Sequence, residues 1–274
     1  MSSRCLDPLL RWALAAAFVA LSLTGADARE LRVCADPNNL PYSDEREAGF
    51  ENRIAQLVAA DLGMSLGYYW LPQWRGFTRK TLLEGHCDVI PGVPAGVSNV
   101  LVTDPYYVGA YALAFRGERV PGLSGLDDPR LRTLRIGLPL VGLDAIPAPP
   151  GRALARRGIF DNVVGFPVIG PHPVAERMIE ALASGDIDVA IVWSPQAGYF
   201  GRRQRIQLTI LPLESTARDP SLEFAIAMGV RPGDVALQRA LNASLARLRP
   251  QIDAILRDYA VVAPGGPLAQ ETPR

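Results

Sequence analysis

Polar and aromatic side chains follow the apolar runs of this 274-residue chain, where strands of an α/β sheet would end. Asp36 and Tyr42 follow the first run, and Tyr106 with Tyr107 precede a long apolar stretch. Aromatic walls with a few polar groups are typical of a small-ligand cleft. We therefore predict a cleft for a ligand or a partner, built from Asp36, Asn38, Asn39, Tyr42, Glu51, Trp74, Arg75, Tyr106, Tyr107, Asp144, Trp193 and Ser194.

A purely structural role is the alternative for each aromatic residue in this set, because clusters such as Asp104-Pro105-Tyr106 also occur in turns and cores. Asp36 and Arg75 are harder to explain in that way. A charge near a buried strand end needs a partner or a ligand.

The sequence offers few groups for catalysis. Its two histidines, His86 and His172, lack the spacing to cysteines or carboxylates that a metal site requires. Neither a G-x-S-x-G elbow nor a phosphate-binding glycine loop is present. A nucleophilic Cys34–His86 pair is disfavoured because Cys34 lies inside a predicted strand. We predict a protein that is not an enzyme and that holds no metal or cofactor; Asp36 with Glu51 is the acid–base pair that a dehydratase-like enzyme would need.

The elements that would position these side chains alternate between strand and helix. The apolar run at residues 31–35 is followed by a helical pattern that ends near Gly63 and by a strand at residues 66–71. A further strand at residues 88–90 ends in Pro91-Gly92. This order is typical of a parallel α/β unit.

A second unit repeats the pattern of the first. The spacing Gly85-x-x-Asp88-Val89 recurs as Gly185-x-x-Asp188-Val189, and apolar runs at residues 111–115 and 222–229 are long enough to cross between two units. We therefore predict two Rossmann-like α/β lobes with mixed, mostly parallel sheets, joined by a two-strand hinge. The predicted bounds are residues 29–115 plus 222–263 for lobe 1, 116–221 for lobe 2 and 264–274 for a flexible tail.

The first 28 residues have the features of a secretory signal peptide. Arg4 and Arg11 flank an apolar run, and Ala26-Asp27-Ala28 gives the small-x-small pattern of a cleavage site. The run is shorter than the roughly 20 residues that span a bilayer. We therefore predict a periplasmic protein without stable membrane insertion.

The charge of the chain bears on which partners it can bind, and its cysteines bear on whether it forms a disulfide. The 28 basic and 28 acidic residues cancel, which argues against binding of nucleic acid or of an anionic membrane. Beyond the predicted signal the chain keeps Cys34 and Cys87. Export to an oxidising compartment favours a disulfide between them, which would stabilise the fold by roughly 4 kcal/mol. A pair of buried thiols is the alternative.

Three ordered motifs resemble those of type II periplasmic solute-binding proteins. They are the loop Asp36-Pro37-Asn38-Asn39-Leu40-Pro41-Tyr42, the helix start Gly49-Phe50-Glu51, and Asp104-Pro105-Tyr106 before the predicted crossover. The resemblance implies two lobes that close around a ligand by a hinge motion. Amino-acid-binding members carry an arginine in the segment that corresponds to residues 92–99, and none occurs here. Arg53 also replaces the second Asp of the usual helix start, so an amino-acid ligand is not expected.

Longer strings resemble a narrower family, the MoxJ/XoxJ-type proteins encoded with pyrroloquinoline-quinone-dependent (PQQ-dependent) methanol dehydrogenases. These strings include VCADPNNLPYS, GFENRIAQLVAADLG, CDVIPGVPAG and DVAIVWSPQAGYF. The resemblance implies an accessory factor that binds the PQQ-dependent alcohol dehydrogenase, or a segment of it, in the cleft between the lobes. The alternative is an ABC-transporter substrate-binding protein for a small polar ligand other than a standard amino acid.

Overall fold

The computed structural model describes residues 29–73, 75–141, 146–170 and 172–261. The predicted signal peptide, Trp74, Asp144 and the predicted tail at residues 264–274 lie outside these described residues. The described strands are β1 (Glu30–Ala35), β2 (Asn38–Asn39), β3 (Ser43–Asp44), β4 (Ser65–Trp70), β5 (Val89–Pro94), β6 (Leu101–Val102), β7 (Tyr107–Phe115), β8 (Ile136–Val141), β9 (Ile146–Pro147), β10 (Val163–Pro167), β11 (Val189–Trp193), β12 (Thr209–Pro212) and β13 (Glu223–Val230).

The described helices are α1 (Phe50–Asp61), α2 (Pro149–Ala155), α3 (Val174–Ser184), α4 (Ser194–Arg203), α5 (Val235–Arg247) and α6 (Arg249–Asp258). Shorter helical turns cover Arg79–Leu83 and Pro129–Arg132. In α3 the residues Met178, Ile179 and Leu182 share one buried face, and Gly185 ends the helix in the left-handed conformation that glycine adopts without strain.

The main sheet has the order β10-β8-β11-β7-β13-β5-β1-β4. Strands β1, β4 and β5 run parallel on one side, and β8, β10 and β11 run parallel on the other. Between them, β7 and β13 pair antiparallel with each other and with the flanking strands. This arrangement of two mixed, mostly parallel halves joined by two strands is the predicted fold class, which is confirmed. The residue bounds of the two lobes stay a prediction.

Lobe 1 has a core on each face of its sheet. On one face, Phe50, Ile54 and Val58 of α1 pack with apolar residues of α5 and α6. On the other face lie Cys34 and Cys87, whose sulfur atoms are joined in a disulfide with their Cα atoms 5.5 Å apart. The predicted Cys34–Cys87 disulfide is therefore confirmed, and it connects β1 to the residues just before β5.

Lobe 2 repeats the two-layer arrangement around β8 and β11. Leu131, Ile136 and Leu154 belong to the core on one face, and α3 and α4 cover the other with Met178 and Phe200. Strand β10 forms the outer edge of this lobe. Near that edge Phe160 is 58% exposed, while the guanidinium of Arg177 donates to the carbonyl of Pro167.

The sequence repeat corresponds to one Arg–Asp clip in each lobe. In lobe 1 the backbone N–H of Arg32 donates to the carboxylate of Asp88, and the N–H of Asp88 donates to the carbonyl of Arg32. In lobe 2 Arg135 and Asp188 make the same two bonds. In both cases the arginine guanidinium also binds the aspartate. The clip fixes the first strand of each lobe against the strand that follows the repeated glycine.

The end of α6 contacts both lobes. The Tyr259 hydroxyl donates to the carbonyl of Ala48 at 2.6 Å, and its ring lies 5.9 Å from the ring of Phe50 in lobe 1. The same ring stacks at 6.1 Å on Tyr199 of α4 in lobe 2, and Arg202 of α4 donates to the carbonyl of Asp258. This segment therefore links the lobes independently of β7 and β13.

One predicted strand end was wrong. The strand at residues 88–90 was expected to stop at Pro91-Gly92, but β5 continues to Pro94. Opposite these residues, the register of β13 shifts between Ala227 and Gly229, as in a β-bulge. The bulge accommodates a proline and a glycine that would otherwise interrupt the ladder.

Candidate functional site

The loop after β1 is held by its own aspartate. The carboxylate of Asp36 accepts the backbone N–H of Asn38 at 2.8 Å and that of Gln73 at 2.6 Å. Burial raises the pKa of Asp36, while these two hydrogen bonds oppose the shift. The sequence predicts a partner for the Asp36 charge, and two backbone N–H groups are that partner. Through Gln73, Asp36 connects the first loop to the loop after β4.

The rest of this loop forms a small hairpin and turns towards both lobes. Asn38 pairs with Asp44, and the side-chain amide of Asn39 donates to Gln73 at 3.4 Å. Leu40 packs against the core of lobe 2. The ring of Tyr42 lies 5.1 Å from that of Phe50 at the start of α1. The loop therefore lies between the lobes, with Asn38 exposed to solvent.

Backbone carbonyls of the same loop occupy the first amides of α1. The N–H of Phe50 donates to the carbonyl of Pro41 at 2.8 Å, and the N–H of Glu51 donates to that of Tyr42 at 3.0 Å. The amides at a helix N-terminus are otherwise a ready site for an anion. Since these two are already bonded, this end of the cleft is not built to receive a carboxylate.

Glu51, Tyr42, Tyr106 and Tyr107 form a buried or partly buried cluster in lobe 1, which we name the floor of the predicted cleft. Glu51 is 7% exposed, and its Oε1 accepts the hydroxyl of Tyr107 at 3.2 Å. The neighbouring Tyr106 hydroxyl accepts the N–H of Gly92 at 3.3 Å, and the two tyrosine rings lie 5.0 Å apart. Gly92 has a positive φ of 72°, and a Cβ there would lie 2.4 Å from Glu51 Oε1. Only glycine fits this position.

The electrostatics of the floor follow from its burial. Burial raises the pKa of Glu51 to about 7, and the hydrogen bond from Tyr107 opposes part of that shift. Burial, together with the charge of Glu51, also raises the pKa of Tyr42, Tyr106 and Tyr107 well above 10. The tyrosines thus remain neutral hydrogen-bonding groups, while Glu51 changes charge near neutral pH.

Lobe 2 contributes an aromatic wall at the point where β7 changes lobes. Trp193 at the end of β11 stacks on Tyr111 at 4.6 Å and lies 5.8 Å from Phe224. A Cβ at Gly109 would lie 2.9 Å from the Trp193 ring and 3.7 Å from that of Tyr107. The wall is therefore continuous with the floor that holds Glu51.

Two further predicted residues lie at strand ends without joining this floor. Ser194 begins α4, is fully buried, and its hydroxyl has no hydrogen-bond partner within the described part of the chain. Arg75 is exposed. Trp74 and Asp144 lie outside the described residues, so their place in the cleft stays a prediction. The carboxyls of Asp36 and Glu51, the acid–base pair considered for an enzyme, bond to different partners: Asp36 to the backbone of Asn38 and Gln73, and Glu51 to Tyr107.

The sequence patterns missed several residues of the site. Tyr111 and Phe224 were assigned only to apolar crossing strands, Gly92 only to a strand end, and Gly109 had no assigned role. A crossing strand next to a cleft has to line it, so the aromatic residues within residues 107–115 and 222–229 were the available signal. The approach of Gly92 to Glu51 had none, because it depends on how β5 meets α1.

The described part of the chain contains neither a cluster of metal ligands nor a membrane-spanning helix. Over residues 29–73, 75–141, 146–170 and 172–261, no cluster of histidine, cysteine and carboxylate side chains is arranged to hold a metal ion. In the same ranges, no helix combines the length and the apolar character that a membrane span needs.

Known proteins share both the sequence and the fold. No protein-family model matches the chain. The chain is 30% identical over 251 residues to the protein MoxJ of Methylorubrum extorquens, a match that covers 86% of this chain and 82% of MoxJ. It is 37% identical to the crystal structure of the periplasmic binding protein XoxJ from Methylobacterium extorquens, with a TM-score of 0.70, covering 88% of this chain and 100% of that one. The chain belongs to the MoxJ family.

A third relative supports the fold of this MoxJ-family chain. The crystal structure of MxaJ from Methylophaga aminisulfidivorans is 24% identical, has a TM-score of 0.73 and covers 84% of this chain and 98% of its own. The predicted resemblance to MoxJ/XoxJ-type proteins, and with it a periplasmic binding-protein fold, is confirmed. The assignment of the site residues to a ligand or partner stays a prediction.

Proposed function

We propose that this MoxJ-family protein is a periplasmic accessory factor of a PQQ-dependent methanol or alcohol dehydrogenase, and that it binds the dehydrogenase, or a segment of it, in the cleft between its lobes. Its similarity to MoxJ and XoxJ over most of the chain carries this proposal. The predicted signal peptide at residues 1–28 would deliver it to the same compartment.

The chemistry of the cleft supports binding and not catalysis. The carboxylate of Asp36 is bonded to two backbone amides, and Glu51 is bonded to the hydroxyl of Tyr107. A catalytic acid–base pair needs both groups within reach of the same substrate. In addition, Trp193 and Phe224 give the cleft the aromatic character of a surface that binds a chain segment.

Binding of a small polar solute is the second candidate, as in a transport receptor. It is favoured because the floor presents only one small polar group, the Glu51 carboxyl bonded to Tyr107, which suits a small polar solute. It is disfavoured for an amino acid, since residues 92–99 contain no basic side chain to hold a carboxylate and the first amides of α1 are already bonded.

Titration of the protein with a PQQ-dependent alcohol dehydrogenase from the same organism tests the proposal. We expect saturable binding by calorimetry to the apo or the mature enzyme, and weaker binding for Trp193→Ala. Trp70→Ala is the matched control, because Trp70 is also partly exposed but stacks on Tyr68 within lobe 1. Absence of binding to every form of the enzyme, with ligand-induced thermal stabilisation in a solute screen instead, would favour the transport receptor.

A further inference from the structure

Glu51 differs from the other buried acidic side chains of the described chain. Asp88 is paired with Arg32, Asp128 with Arg130, and Asp219 with Arg157, at distances of 2.7 to 3.0 Å. Glu51 is buried to a similar extent, yet it forms no ion pair with any described residue. Its one hydrogen bond comes from the neutral hydroxyl of Tyr107.

A buried carboxylate without a cation is costly, because the desolvation of its charge is not offset by a neighbouring opposite charge. The fold nevertheless makes room for it. Gly92 has a positive φ of 72°, which strains other residues, and a Cβ there would also force the Glu51 carboxylate to shift. Groups with this kind of unbalanced environment in a cleft are candidates for contact with a ligand.

The surroundings of Glu51 indicate the chemistry of that ligand. The hydroxyl of Tyr107 bonds to the carboxylate, and the ring of Tyr106 lies 5.0 Å from that of Tyr107. The ring of Trp193 in lobe 2 lies next to Gly109, which also adjoins the Tyr107 ring. Aromatic faces attract cations, and a carboxylate at the end of an aromatic wall supplies the opposite charge. Amides that would attract an anion are absent from this end, because those of Phe50 and Glu51 are bonded to the preceding loop.

We propose that Glu51 and the aromatic wall bind the positively charged group of the molecule that occupies the cleft, an ammonium or a guanidinium. If the proposed function holds, the positively charged group is a lysine or arginine side chain of the dehydrogenase segment. Only this source of the group rests on the proposed function. A free organic cation carries the same chemistry, and the experiment separates the two sources.

Calorimetric titration with short capped amino acids tests the charge of the ligand. The probes are N-acetyl-arginine methylamide and N-acetyl-lysine methylamide, each compared with the uncharged N-acetyl-citrulline methylamide at about pH 8, where Glu51 is ionised. We expect a cationic probe to bind at least about tenfold more tightly than the citrulline probe. Glu51→Gln should abolish that preference, and Glu45→Gln, a change at an exposed glutamate, should leave it intact.

Titration of the same variants with the dehydrogenase separates the sources. If Glu51→Gln weakens dehydrogenase binding about tenfold while Glu45→Gln does not, the cation belongs to the protein segment. If only the free probes respond, the site takes a small cation. Equal binding of charged and uncharged probes, together with unchanged dehydrogenase binding by Glu51→Gln, overturns the inference. In that case the dehydrogenase still binds, so the proposed function stands. The proposed function would instead be contradicted if the wild-type protein did not bind the dehydrogenase.

Tyr107→Phe is a second variant that tests the inference if Glu51→Gln fails to fold properly. This change removes one hydroxyl from a ring that otherwise packs unchanged, and it raises the pKa of Glu51 because the hydrogen bond from Tyr107 lowers that pKa. Cation binding should then be weaker at neutral pH and recover at higher pH. A merely structural role of Glu51 would leave binding by Tyr107→Phe independent of pH.

Discussion

A carboxyl group whose pKa lies near 7 makes the stability of a protein depend on pH in an unusual direction. For Glu51 the folded state holds its proton over a range where the unfolded chain, with a pKa near the ordinary 4.5, has already lost it. The group therefore contributes full stability below the unfolded pKa, and this contribution is lost as the pH rises through the folded pKa.

Replacement of Glu51 by glutamine should reveal this contribution. We expect the free energy of unfolding of the wild-type protein to fall, relative to Glu51→Gln, by about 3 kcal/mol between acidic and mildly alkaline pH. Urea unfolding of both proteins across that range measures the difference. Parallel pH profiles would show that Glu51 titrates normally in the folded protein.

At the scale of elements, the two Arg–Asp clips differ in burial and should differ in strength. The Asp88 side chain is 12% exposed and binds both Arg32 and Arg231, whereas that of Asp188 is 26% exposed and binds Arg135. Burial alone would raise the pKa of Asp88, but the two arginines hold it below its ordinary value. Both clips therefore lose strength as the pH falls through the carboxylate pKa.

We expect Asp88→Asn to lower the free energy of unfolding by about 2 kcal/mol and Asp188→Asn by about 1 kcal/mol, since hydrogen bonds to charged groups weaken with exposure. Denaturant unfolding at neutral pH measures both, and each variant serves as the control for the other. An equal loss would mean that the clips contribute through backbone geometry and not through charge.

The disulfide is the second device at this scale. Cys34 and Cys87 are separated by 53 residues and both are buried, so replacing them by alanine removes the cross-link and also two buried sulfur atoms. The double variant should lose about 4 kcal/mol of unfolding free energy, because the unfolded chain regains the freedom of that loop. Urea unfolding provides the measurement; a loss well under 1 kcal/mol would point to residual structure in the unfolded state.

The sequence predicts features that depend on local patterns better than contacts between residues far apart in the chain. The repeated Gly-x-x-Asp-Val spacing predicted a second lobe and contained the aspartate of each clip, but it gave no sign of the arginine partners. The disulfide was favoured over a pair of buried thiols because an exported chain keeps two cysteines. The floor of the cleft was not predictable in detail. Its geometry arises where β5, β7 and β11 meet, so neither the contact of Trp193 with Gly109 nor that of Gly92 with Glu51 leaves a mark in the local sequence.

For the whole molecule, the relation between the lobes depends on more than the two crossing strands. Tyr259 bonds to Ala48 in lobe 1 and stacks on Tyr199 in lobe 2, while Leu40 of the first loop packs on the lobe 2 core. These contacts add to those of β7 and β13, so a binding partner that moves the lobes apart has to compensate for their loss.

Tyr259→Ala should therefore widen the distribution of distances between the lobes. We expect a broader spin-label distance distribution between α1 and α3, and a loss of about 2 kcal/mol of stability. Tyr259→Phe removes only the hydrogen bond to Ala48 and keeps the ring contacts, so it should leave the distribution narrow. Identical distributions for the wild type and Tyr259→Ala would show that the crossing strands alone set the arrangement.

The outer edge of lobe 2 also has a consequence for the behaviour of the protein at high concentration. An exposed edge strand with apolar neighbours such as Phe160 invites other chains to add to the sheet and aggregate. At the end of β10, however, Pro167 has no N–H to offer, and its carbonyl already accepts from Arg177. A foreign strand would find no N–H donor at that residue and a carbonyl that is already bonded. Pairing at the Pro167 end of the edge is therefore weakened, whereas residues 163–166 remain the part of the edge at which another chain could add.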